Sequence, residues 1–106
     1  MKKYEGVFIL KPNLNKDEIE KTVSAILDAL GKNGGAVEHK EDMGVRQLAY
    51  EIKKERQGHY FLVSFTADPK AISDMERSYK LNESILRAQI FKRDIAGATS
   101  KEHRLS

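Results

Sequence analysis

The sequence predicts an α+β domain, a four-stranded antiparallel sheet with two helices on one face. Apolar runs of strand length alternate with two segments of helical periodicity, in the order β-α-β-β-α-β. Each helical segment carries one apolar stripe, which has to be buried against another layer. The 106 residues, 40% of them hydrophobic, suffice for one modest core.

Tyr4 to Leu10 is a compact run containing Val7, Phe8 and Ile9, the length of a buried strand, and Pro12-Asn13 stops it. Asn15 then caps a helix whose first turn holds Asp17 and Glu18, suited to the positive end of the helix dipole. Ile19, Val23, Ile26, Leu27 and Leu30 form its stripe, and Gly34-Gly35 supplies the residue of positive φ that ends it. Ala36 to Lys53 reads as a long second strand, bent at Gly44. Leu48, Tyr50 and Ile52 alternate along it, and Leu48 and Tyr50 are expected beneath the helices. Gln57-Gly58 is expected to turn the chain into a third strand, His59 to Thr66, with Phe61, Val63 and Phe65 as its stronger apolar face.

Asp68-Pro69 opens the second helix, with the proline at the first position, where its missing N–H costs nothing. Ile72, Met75 and Tyr79 continue that helix, and Ile85 to Lys92 is the last strand. Residues 1–94 are expected to form the domain and 95–106, small and polar, a flexible tail. The order is that of the split β-α-β, ferredoxin-like arrangement, which leaves the far sheet face uncovered.

Several chemistries are excluded by composition. Without cysteine there is no disulfide, thiolate nucleophile or cysteine metal site. His39, His59 and His103 lack the spacing of a ligand set. Acylphosphatases share the fold but place a glycine-rich phosphate loop after the first strand, where this chain reads Lys11-Pro12-Asn13-Leu14. No enzyme activity and no cofactor are expected. Nothing approaches the length of a membrane span or a signal-peptide core, so the expectation is a soluble cytoplasmic protein. Gln57 to Phe65 has the glycine and aromatics of a base-stacking RNA-recognition strand but not their spacing. Phe61 and Phe65 are expected to point inward, which leaves Tyr60 as the stacking candidate.

The formal charge is +3, and its distribution says more than its size. Segments 16–34 and 68–83, the helices, each sum to −1, leaving +5 on the strands, loops and tail. Lys2, Lys3, Arg46, Lys53, Lys54, Arg56, Arg87 and Lys92 fall at sheet ends and on a hairpin. Cations so placed suit phosphate and ribose contacts that position a protein on folded RNA.

The segment Gly44-Val45-Arg46-Gln47-Leu48-Ala49-Tyr50-Glu51-Ile52-Lys53 resembles the signature of bacterial small-subunit ribosomal protein six. That pattern is Gly, any residue, a basic residue, a polar residue, Leu-Ala-Tyr, any residue, Ile, Lys. The opening Met1-Lys2-Lys3-Tyr4-Glu5, the Pro12-Asn13 exit, and Asn82 with Ile85-Leu86-Arg87 are similar to the same family, collinearly over residues 1 to 93. Members often have Pro after the Tyr and a second Arg before the basic position. Glu51 and Val45 stand there in this chain, so that Arg's contacts do not transfer.

The resemblance implies a structural constituent of the small ribosomal subunit. It would bind the central domain of 16S rRNA together with ribosomal protein eighteen, as a heterodimer. The rRNA contacts implied are Lys2, Arg46, Lys53, Lys54, Arg56 and Arg87. In the tail, Ile95 and Leu105, with Lys101 and Arg104 between them, are the expected partner contacts. A second reading is a ferredoxin-like small-ligand or regulatory module that self-associates through its open sheet face.

Overall fold

The computed structural model describes residues 2–93. Strand β1 (Lys2–Leu10) lies between β3 (Glu55–Ala67) and β4 (Ile85–Lys92), and β2 (Ala36–Ile52) completes the sheet outside β3. The order is β2-β3-β1-β4 and every pairing is antiparallel. Helix α1 (Lys16–Lys32) follows β1; a 3-10 turn (Pro69–Ala71) and helix α2 (Ile72–Lys80) follow β3. The ferredoxin-like arrangement expected from the sequence is therefore the one observed.

Local chemistry sets the helix ends. The Asn15 side chain accepts from the Glu18 N–H and the Glu18 carboxylate accepts from the Asn15 N–H, both at 2.9 Å. Gly34, at φ +79, follows the last turn of α1. Asp68 accepts from the Lys70 N–H at 2.9 Å, with Pro69 next to it as expected.

The main core lies between sheet and helices, with Phe8, Leu10, Ile26, Leu30, Val63, Phe65 and Met75 fully buried. Phe8 meets the Tyr79 ring edge-on, centroids 4.8 Å apart. The Tyr79 hydroxyl donates to the Ile26 carbonyl at 3.0 Å, tying α2 to α1. Burial pushes this phenol up to about 12, so it remains a donor at neutral pH.

The β2–β3 hairpin departs from the sequence reading in three ways. Its turn is Lys53-Lys54, both at positive φ (49 and 69), between the paired residues Ile52 and Glu55. A two-residue turn that follows the twist of its strands requires positive φ, and each lysine held there costs about 1–2 kcal/mol. Gln57-Gly58 instead lies inside β3. Gly58 is crowded rather than turned: a Cβ there would sit 2.3 Å from Ile9 Cγ2 and 3.4 Å from Leu48 Cδ2. Gly58→Ala should therefore lower stability by about 1–3 kcal/mol through overpacking. An unchanged urea midpoint would show that Ile9 yields without cost.

The second departure concerns Leu48 and Tyr50. Leu48 is buried, but on the face opposite the helices, with Val7, Ile9, Ile52, Tyr60, Leu62 and Leu86. Tyr50 is 61% exposed. Pairing jumps from Gln47↔Gln57 to Ile52↔Glu55, so β2 advances further than β3 over the same stretch. The extra residues break the two-residue alternation and turn Tyr50 outward. The bend expected at Gly44 is present, at φ +79, with Asp42 accepting its N–H at 2.9 Å.

Third, the far sheet face is not left open along its whole length. The hairpin arm folds over one end of it, and Tyr60 is only 9% exposed beneath that arm. Tyr60 is therefore no platform for base stacking in this conformation. Phe61 and Phe65 point into the helix-side core, as expected.

Candidate nucleic-acid interface

Strands β2 and β4 are opposite edges of the sheet, yet the hairpin arm spans the distance between them. Leu48 and Ile52 pack in one cluster with Leu86 of β4. Next to that contact the Tyr50 hydroxyl accepts a hydrogen bond from Arg87 Nη1. The Arg87 guanidinium also lies over the Tyr50 ring, its Cζ 5.3 Å from the centroid. Such a stack contributes about 0.5–1 kcal/mol at an exposed site and restricts the guanidinium to one place.

Five of the six expected rRNA contacts come together at this end of the sheet. Lys53 and Lys54 form the turn, and Arg46 lies opposite Gly58 on the arm with its Nε–H 3.4 Å from the Met43 carbonyl. Arg56 pairs with Glu51 at 3.6 Å, an exposed pair worth about 0–1 kcal/mol that a phosphate could displace. Arg87 stands opposite Ile9 on β4. Lys53 and Arg87, with Lys80 from the end of α2, line one cleft of about 400 Å³.

Lys2 is the exception. It pairs with Ala67 at the other end of β1, roughly 23 Å from Ile9 at about 3.3 Å per residue. Around that end Glu38 holds Lys3 at 3.9 Å and Arg93 at 3.5 Å. The four expected partner contacts, Ile95, Lys101, Arg104 and Leu105, lie outside the described residues.

Sequence reasoning missed Tyr50 and Lys80 as members of this surface. Tyr50 looked like core because it alternates with Leu48 and Ile52. Lys80 belongs to a segment of negative sum, although its place just before the last strand puts it at the same sheet end. Of the described histidines, His59 pairs with Asp42 at 2.6 Å and His39, separately, with Glu41 at 3.8 Å. Among the described residues no group of three or more metal-ligating side chains occurs.

The class that fold and site define is a ferredoxin-like α+β domain carrying five of the six expected cations at one hairpin end of its sheet. The family model for Ribosomal protein S6 matches residues 3–92. Small ribosomal subunit protein bS6 of Helicobacter hepaticus is 48% identical over 92 residues, covering 87% of this chain and 67% of the relative. The bS6 of Sulfurimonas denitrificans is 38% identical over 94 residues, covering 89% and 69%. The chain thus spans about two thirds of the length of the curated relatives it matches. The crystal structure of 30S ribosomal protein S6 from Thermotoga maritima superposes with a TM-score of 0.81 at 33% identity, covering 87% of both chains. The C-terminal domain of MgtC from Mycobacterium tuberculosis, at 10% identity and a TM-score of 0.63, shares the fold alone.

The chain belongs to the ribosomal protein S6 family. This is a structural, non-enzymatic family of the small subunit of the bacterial ribosome, in the cytoplasm.

Proposed function

We propose that the chain binds the central domain of 16S rRNA jointly with ribosomal protein eighteen, and that the hairpin end of its sheet faces the RNA. The observation that carries this reading is the gathering of Arg46, Lys53, Lys54, Arg56 and Arg87 at one end, from three strands and a turn. Lysines and arginines there neutralise phosphates and release counterions without reading sequence. Lys2 is a separate contact, at the opposite end of β1. The +5 outside the helices is modest, so affinity arises when two small proteins present one joint cationic surface.

Residues 1–94 act as the RNA-binding domain in this reading, and 95–106 as the partner-binding tail. Ile95 and Leu105 anchor the tail on ribosomal protein eighteen, with Lys101 and Arg104 reaching nearby charge. Fixing each residue costs about 1–2 kcal/mol of backbone entropy, which limits the anchored stretch to a few residues. Removing residues 95–106 should leave the melting temperature close to that of the full chain and lower affinity for the partner. Calorimetric titration of the truncated chain with ribosomal protein eighteen checks this. Unchanged affinity would remove the tail from the interface.

A further inference from the structure

We propose that the cleft between the hairpin turn, the end of α2 and the start of β4 is a seat for one phosphate group. Lys53, Lys80 and Arg87 are its cations, and Tyr50 positions Arg87. Its occupant, a backbone phosphodiester of bound RNA, rests on the reading just given.

The lining is one-sided in charge. Lys53, Lys80 and Arg87 share it with Tyr79, Ile85, Leu86 and Ala88, and no carboxylate is among them. Two other surface clefts are different: one carries Asp17, Glu20 and Asp28 beside Lys21, the other Glu18 beside Lys21. Among the described residues no carboxylate forms an ion pair with Lys53, Lys80 or Arg87. Ile85 and Leu86, both nearly buried, give the cleft a low-dielectric wall that strengthens the field of the three cations.

Two of the three cations are positioned before any ligand arrives, Lys53 through its backbone and Arg87 through its side chain. Lys53 is fixed in a two-residue turn, and the arm carrying that turn is anchored by Leu48 and Ile52. Arg87 is held by the Tyr50 hydroxyl and ring together. A guanidinium has five N–H donors, so a bond to Tyr50 leaves others for phosphate oxygens. The Tyr79 hydroxyl is committed to Ile26 and does not compete. Two point-charge ammonium groups and one forked guanidinium match the oxygens of a phosphate group.

The test has two arms on the full chain. In the first, inorganic phosphate replaces chloride at constant ionic strength while NMR follows the Lys53 and Lys54 amides and the Arg87 Nε–H. The expected result is saturable shifts at those signals, lost in Lys80→Ala and in Arg87→Lys. Tyr50→Phe keeps the ring and removes the hydroxyl, and should displace the Arg87 Nε–H signal with the rest of the spectrum unchanged. An undisturbed Arg87 signal would overturn the positioning role of Tyr50. Shifts that are absent, or spread over every lysine, would overturn the seat.

In the second arm, a central-domain 16S rRNA fragment and ribosomal protein eighteen are titrated across a salt series. Lys80→Ala should reduce the log–log salt slope by about one, the loss of one phosphate contact. An unchanged slope beside intact phosphate shifts would overturn RNA as the occupant. If the wild-type chain fails to bind RNA at all, the RNA reading falls while the first arm still supports or refutes the seat.

Discussion

Leu48→Ala is expected to lower stability by about 2–4 kcal/mol, the range for truncating a buried leucine, while Tyr50→Ala leaves the urea midpoint nearly unchanged. Leu48 is 9% exposed and fills the space between the hairpin arm and the Val7–Ile9 stretch of β1. Its removal opens a cavity under the arm, between it and the sheet. Tyr50 is 61% exposed, and its hydroxyl and ring engage Arg87. Both variants should weaken RNA binding, Leu48→Ala by loosening the arm and Tyr50→Ala by releasing Arg87. Urea denaturation separates them. Equal destabilisation by the two would place Tyr50 in the core and contradict the outward turn of the arm.

The parts of the fold that were legible in the sequence are those decided by local chemistry. Asn15 and Glu18 announce the start of α1, Asp68-Pro69 the approach to α2, and Gly34 the end of α1, because each satisfies a constraint within a few residues. Strand β1 was readable because both its faces are buried, which produces a continuous apolar run. The hairpin arm was not readable, for two reasons. Its turn is built from two lysines at positive φ, a conformation their side chains disfavour and no composition rule anticipates. Gly58 then offered a false turn signal, although its lack of a Cβ serves the close approach of Ile9.

The candidate site was legible in kind and not in assembly. Arg46, Lys53, Lys54, Arg56 and Arg87 were selected by charge and by family resemblance, and the fold places them at one end. That Arg87 stacks on Tyr50, and that Lys80 joins the same cleft, depends on an arm crossing the sheet between its two edges. Contacts between positions 37 residues apart, as in Tyr50 and Arg87, leave no trace in local periodicity.

The largest functional effect is expected from salt. Alone, the chain should bind RNA weakly, because the +5 outside its helices neutralises few phosphates. With ribosomal protein eighteen present, binding should be tight and steeply salt-dependent. Neutralising about 3 to 5 phosphates gives a log–log slope of roughly −3 to −5, or about a 60- to 1,000-fold loss between 50 and 200 mM salt. The most direct measurement is filter binding of the pair to a central-domain 16S rRNA fragment across that salt range, with wild type beside a Lys53→Ala, Lys54→Ala double variant. The hairpin-facing arrangement predicts a slope shallower by about two in the double variant, with its urea midpoint retained. Tight binding by the isolated chain, or a slope that the double substitution leaves unchanged, would contradict it.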